Sequence, residues 1–315
     1  MSGSIPKIKP FAKGPGLTVG RYFTEDSNDP YEGVVFRKVD AVIRDYATGK
    51  EKFRLDQFEV TAEHTDQDAA VIASKYARQE QSLRQIVDRV VARIGLWGWN
   101  GGYFRDPKDV IAFGAELTRI LITRKAAFNS PVWFNCGVAG VPQQMSACYI
   151  LGVADSMESI LSQAVIEGMI FKGGSGAGSC WSKVRSEKET MTGGGKPSGP
   201  RSFISGLDGI AGMIKSGGKT RRAAPFRVLH DNHPDIVEYI WSKVGEEKKA
   251  GALIAAGYSG GFEGEAYSTV SLQNANRSVH GSDEVMSAVC REVPYLLPLT
   301  ARTTGKTLDT ISAES

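Results

Sequence analysis

Cysteine is scarce in this chain: Cys136, Cys148, Cys180 and Cys290 are its four in 315 residues. Four thiols cannot staple a fold of this length, so they are packing residues, metal ligands or redox groups. No two of them fall in a CxxC spacing, which removes the usual mark of structural zinc, and no metal site is expected. Histidine is equally rare, and His64, His230, His233 and His280 stand in no arrangement that identifies a catalytic triad. An excess of charge of one sign is missing too. The formal net charge of +3 gives no electrostatic case for nucleic acid or a membrane surface as a partner. No run approaches the roughly eighteen apolar residues of a membrane helix. The opening MSGSIPKIKPFAKGPG has no apolar core of signal-peptide length, so a cytoplasmic location is expected.

What is present is a globular composition, 41% hydrophobic and 23% charged, in a length that suits one large domain or two ordinary ones. Glycine is the outlier: of 36 glycines, 14 lie between positions 168 and 218. Each costs backbone entropy on folding, so the cluster suggests that the main chain there must approach something closely.

Three stretches differ in texture. Residues 1–65 read as a strand-rich extension, with GVVFRKVDAVI and EKFRLDQFEVTA flanking the turn signal YATGK. Residues 66–128 read as helical. One long helix is expected from about 66 to 94, with Ile72, Tyr76, Leu83, Ile86, Val90 and Ile94 on one face, broken by GLWGWNGGYF. A second begins at Asp106 with Pro107 in its first turn. From 129 onward strands and helices alternate. SACYILGV reads as a buried strand, and Asp155 or Ser156 caps a helix that ends at Gly173. A helix over about 201–214, the strand FRVLH and a helix beginning around Asn232 and Pro234 follow. Such alternation predicts an α/β fold with a parallel sheet or barrel.

The glycine loop at 173–178 lacks the GxGxxG spacing and follows a helix, so it reads either as a structural turn or as a nucleotide-binding one. GMIKSGGKT misses the P-loop pattern by one residue. Its Lys215 and Lys219, with Arg221 and Arg222, still pair glycine amides with cations, which suits phosphate or a ligand-ordered loop. His230 and His233 straddle a helix start, where capping and packing outweigh metal binding. Cys148, inside an apolar run, reads by default as a small buried hydrophobe.

Taken together in order, FNSPVWFNCG, SACYILGVADSMESI, GGSGAGSCWSKVRS, GGGKPSGP, IKSGGKTRRAA, HPDI and QNANRSV resemble the class II, adenosylcobalamin-dependent ribonucleotide reductases over roughly 68–312. The resemblance implies that 129–315 form the N-terminal half of a ten-stranded α/β barrel. It implies a ribonucleoside-diphosphate reductase that uses adenosylcobalamin to raise a thiyl radical. That radical takes the 3′ hydrogen of a ribonucleotide, the 2′ hydroxyl leaves as water, and a cysteine pair supplies two electrons. Carried over by motif, Cys148 is the first cysteine of that reducing pair. Ser130, Ala147, Cys148 and Gly176 contact the ribonucleotide. Asp155 and Arg185, with Lys215, Lys219 and Arg221 of the KSGGKTRRAA motif, hold a deoxynucleoside triphosphate (dNTP) effector. A thioredoxin-type reductant and a homodimer are the further partners implied.

The family's Asn-Pro-Cys-x-Glu radical loop does not occur in these 315 residues. Cys290 and Glu292 share its Cys-x-Glu spacing, but the segment reads as helix and the pair is taken as coincidence. The expectation is therefore a fragment or a split half, inactive without a C-terminal half. The alternative is a non-catalytic dNTP-binding module.

Overall fold

The computed structural model describes residues 16–312, apart from 26, 28, 46–47, 192, 215–222 and 262–263. The chain divides into two compact units, Met1–Ser146 and Ala147–Ser315, whereas the sequence texture changes at 129.

In the first unit, strands β1 (Phe36–Arg44) and β2 (Glu51–Thr61) pair antiparallel. Alternation puts Val39, Ala41, Phe58 and Val60 on one face. That face packs against helices α1 (Asp66–Lys75), α2 (Leu83–Asn100) and α3 (Pro107–Ile122) through Ala69, Ala73, Ile86, Val87 and Leu121. The single long helix expected over 66–94 is two helices. Ser82 caps the second by accepting from the Gln85 amide, and Glu80 accepts from the amides of Arg78 and Gln79 in the break. The GLWGWN segment does not end α2 but forms its last turns. Gly98 is needed there because a Cβ would sit 2.4 Å from the Phe104 ring. Asp106 and Pro107 do start α3, with a full capping box to Asp109. The short helix α4 (Ser130–Asn135) completes this unit.

The second unit is built on a four-stranded parallel sheet: β3 (Cys148–Gly152), β4 (Gly176–Cys180), β5 (Ala224–His230) and β6 (Asn276–His280), in that spatial order. The connections are α5 (Met157–Lys172), α6 (Gly199–Met213), and α7 (Ile236–Ala255) with α8 (Glu265–Thr269). Caps fall where the sequence marks them: Ser156 accepts from the Ser159 amide and Gly173 closes α5. Helix α9 (Asp283–Arg291) and an antiparallel hairpin, β7 (Leu296–Thr300) with β8 (Thr307–Ser312), follow. Cys290 thus lies in a helix, as its sequence context suggests.

Parallel strands in sequence order, connected by crossovers of one hand, place all connecting helices on one face of a sheet. The cores agree: Ala177 and Leu229 are buried with Ile160, Phe171, Ile204 and Tyr239 of α5, α6 and α7. The opposite face carries Cys148, Ile150, Gly176, Gly178 and Phe226, and Ile150 is 95% exposed. The strand SACYILGV is therefore correctly placed but is not buried, and neither is Cys148. Half of the 173–178 loop is strand β4. Gly176 is seated so close to Ala224 that a Cβ would meet its carbonyl oxygen at 2.9 Å. Among the described residues no helix is long and apolar enough to cross a membrane.

Candidate functional site: a cavity at two helix starts, and an exposed thiol

Asp155 and Arg185 are thirty residues apart and meet at one cavity. Asp155 lies between β3 and α5. Its carboxylate accepts from Arg185 Nε at 2.6 Å and from the Arg185 amide at 3.3 Å. The cavity beside them measures about 260 Å³. Two helix starts line it: Ser156 and Met157 at α5, and Ser198 and Gly199 at α6. The first amides of a helix have no carbonyl partner within it and carry the positive end of the helix dipole. Ser198 makes no side-chain capping bond to the α6 amides. Lys196 adds a cation on the same wall, and Ile160 and Phe203 add apolar surface. An anion with a flat apolar portion suits these groups. Lys196 escaped the motif reading, although it sits in the recognised GGGKPSGP. Lys215, Lys219 and Arg221 lie outside the described residues.

A second group gathers at the start of β3. The Gly176 amide donates to the Ala147 carbonyl at 2.7 Å, and Cys148 stands opposite Gly176 in the parallel ladder. Ala147, Cys148 and Gly176 are thus brought together, on a sheet edge where glycine leaves room above the backbone. Cys148 is a free, exposed thiol, and so are Cys180 and Cys290; Cys136 is buried. Burial pushes the Cys136 thiol up, against the opposing pull of Arg89 and Arg93.

Ser130 belongs to the first unit, where it opens α4. Its hydroxyl pairs with the Tyr76 hydroxyl at 3.3 Å. The other end of α4 is gripped by guanidinium groups that spacing could not reveal. Arg78 donates to the Phe134 carbonyl at 3.1 and 3.2 Å, and Arg89 donates to that of Trp133 at 2.9 Å and to that of Cys136.

Behind the cavity lies a buried polar layer, in which His233 takes the packing role at a helix start that its sequence position suggests, with partners that spacing does not reveal. His233 is fully buried, its Nε2 donating to the Val184 carbonyl at 2.9 Å and its Nδ1 accepting from the Asp235 amide at 3.1 Å. Burial pushes its pKa down from 6.5 to about 4, although the Val184 bond opposes this. Between those values the unfolded chain binds a proton that the folded chain does not. Stability contributed by this group is therefore complete above about pH 6.5 and lost as pH falls toward 4, on the order of 2 kcal/mol by pH 5. We predict that acidification from pH 7 to pH 5 lowers the unfolding free energy of the wild-type chain by that much more than it lowers that of His233→Gln. Equal losses would mean that the imidazole is not held neutral.

Comparison with known proteins bears on what such a cavity and thiol serve. The model of the ribonucleotide reductase barrel domain matches residues 146–309, more than half of the chain, and that of the class II vitamin B12-dependent ribonucleotide reductases matches 77–124. The chain belongs to the ribonucleotide reductase family. A vitamin B12-dependent ribonucleotide reductase of Streptomyces avermitilis is 43% identical over 310 residues, covering 96% of this chain and 32% of the relative. One from Rhodopirellula baltica is 40% identical, covering 85% of this chain and 29% of the relative. A vitamin B12-dependent ribonucleoside-diphosphate reductase of Thermoplasma acidophilum is 42% identical over 122 residues, covering 38% of this chain and 15% of the relative. The chain spans about a third of the length of the first two reductases. Within the reductase family it is thus the class II, vitamin B12-dependent branch that this sequence matches.

Proposed function

We propose that this chain supplies the effector pocket and part of the substrate cradle of a class II ribonucleotide reductase, which converts ribonucleoside diphosphates to 2′-deoxyribonucleotides. The observation that carries the reading is the cavity at Asp155 and Arg185, where two helix starts and Lys196 converge. The triphosphate of a dNTP meets cations and free amides there, and its base and sugar meet Ile160 and Phe203. Lys215, Lys219 and Arg221, which lie outside the described residues, are assigned the same ligand by motif alone.

Cys148 is the first cysteine of the reducing pair, with Ala147, Gly176 and Ser130 contacting substrate. Its exposure supports this, because a thiol that must become a disulfide and be reduced again has to be reachable. The radical cysteine and the second reducing cysteine come from polypeptide outside these 315 residues, as does the remainder of a ten-stranded barrel. The sheet supports a barrel, since its strands run in sequence with helices on one face and the other face open. The assembled enzyme works in the cytoplasm with a thioredoxin-type reductant.

Adenosylcobalamin is the proposed cofactor of that assembly, on the strength of the relatives' names, and it would supply the radical. His233 does not fit as its ligand, because both of its ring nitrogens are engaged.

The test is calorimetric titration of the full chain with each dNTP. Wild type should bind at least one of them, and Asp155→Ala should weaken that binding by about tenfold or more, since it frees Arg185 and removes an acceptor at the ligand. Equal binding by wild type and variant would remove the cavity from the account.

A further inference from the structure

We infer that Asp235 is a positioning residue for the effector pocket, holding the Arg185 wall and the Gly199 wall at a fixed separation. The inference rests on the effector reading of the cavity, although Asp235 does not line it. Asp235 begins α7 and is 1% exposed. Its Oδ1 accepts from the Ser186 hydroxyl, and its Oδ2 accepts from the Glu187 amide at 3.2 Å. The Ser186 hydroxyl oxygen itself accepts from the Lys188 amide at 2.9 Å, which commits its proton to Asp235. One residue before Arg185, the Val184 carbonyl is held by His233 of the same turn. Arg185 is therefore bracketed: the residues on both sides of it are bonded to the His233–Asp235 turn.

The other wall leans on the same carboxylate. Gly199 has φ +68, and a Cβ there would lie 2.9 Å from Asp235 Oδ2 and 3.1 Å from the Glu187 Cβ. The backbone that opens α6 is packed directly against Asp235 and the segment Asp235 holds. One buried carboxylate thus touches both walls: it accepts from uncharged donors beside Arg185 and packs against Gly199. Lys188, the nearby cation, spends its ammonium on the Pro234 carbonyl at 2.7 Å and on Glu238. What Asp235 supplies is therefore the arrangement of two acceptor oxygens more than a charge pair. Asparagine cannot reproduce that arrangement, because its amide nitrogen would face either the Ser186 hydroxyl proton or the Glu187 N–H.

The experiment compares wild type, Asp235→Asn, Ser186→Ala and the double variant, all as the full 315-residue chain. Each is titrated with dATP, dGTP and dTTP, and the Arg185 Nε–H resonance, assigned through Arg185→Lys, is followed by ¹⁵N NMR without nucleotide. Asp235→Asn should weaken binding by about tenfold, as loss of a hydrogen bond to a buried charged group does. Ser186→Ala should weaken it less, and the double variant should be no weaker than Asp235→Asn, because the two substitutions break one link. The Arg185 resonance should move in both single variants. A general loss of stability would not shift that one signal in the folded protein. An unmoved resonance, with affinity within about twofold of wild type, overturns the inference. Should Asp235→Asn fail to fold, Ser186→Ala decides by the same criteria. Should wild type bind none of the three nucleotides while the resonance moves, the effector reading falls and the positioning of Arg185 by Asp235 stands.

Discussion

Replacing Glu167 by alanine is expected to destabilise the second unit by about 3–5 kcal/mol, with a drop in Tm on the order of 10 °C. Glu167 on α5 and Arg227 on β5 form a two-pronged pair, Nη1 to Oε1 at 2.5 Å and Nη2 to Oε2 at 2.7 Å, with the Arg227 side chain 0% exposed and that of Glu167 3%. Ser179 accepts from Arg227 Nη1 and from Trp181 Nε1, both at 2.9 Å, and Tyr239 donates to the Arg227 carbonyl at 2.8 Å. The pair is not in itself a large net gain, since bringing two ions out of water offsets most of their attraction. The asymmetry decides the outcome. Without Glu167 the guanidinium stays under α5 with its counter-charge removed, and Arg227 Nε already has no hydrogen-bond partner among the described residues. The loss is a large part of the ~5–15 kcal/mol by which a domain is stable. Glu167→Leu combined with Arg227→Met, which removes both charges and keeps the volume, should be milder than Glu167→Ala alone. Thermal and urea unfolding measure this. A single-variant cost below about 1 kcal/mol would show that the guanidinium reaches water.

Under the role proposed for Cys148 in an assembled reductase, Cys148→Ser should lower thioredoxin-supported turnover by more than about a thousandfold. Removing one hydroxyl from ribose takes two electrons, and a pair of thiols delivers them by becoming a disulfide. Serine fills the same space but cannot form that bond, so binding of substrate and effector should survive while reduction does not. The position makes this a clean test. Cys148 is exposed at the first residue of β3, its neighbour across the ladder is Gly176, and its side chain supports no core. Substitution there should leave the Tm of the chain within a degree or two of wild type. Steady turnover with thioredoxin near the wild-type rate would remove Cys148 from the reducing pair.

Much of the fold was legible because its signals are local. The capping box of Asp106 and Asp109, the Ser156 cap and the Gly173 stop all act within four residues. Two local readings misled. The apolar phase runs unbroken from Ile72 to Ile86, since α1 and α2 both face the β1–β2 core, and that continuity hid the break between them. The apolar letters of β3 suggested burial, but periodicity cannot say whether a second face is covered. Asp155, Arg185, Ala147, Cys148 and Gly176 were singled out through motif order. The structure adds that the first two share a cavity and the last three share a strand pair. What could not be read were partners far apart in sequence: Glu167 with Arg227 across 60 residues, Asp208 with Ala275 across 67, and Glu189 with Thr303 across 114. Glu189 shows the cost of missing them. Burial favours its protonated form, yet the Thr303 hydroxyl and three backbone amides outweigh that and hold it below the usual carboxylate range. It thereby ties the β7–β8 turn to the segment beside Arg185.

The cavity between the starts of α5 and α6 is proposed to receive a dNTP. Photolabelling of the full chain with an azido-substituted dATP, followed by mapping of the modified peptides, tests it most directly. Adducts are expected within 155–160 and 184–203, competed away by unmodified dNTP and lost in Asp155→Ala. Labelling that maps to other segments, or that unmodified nucleotide fails to compete, would contradict it.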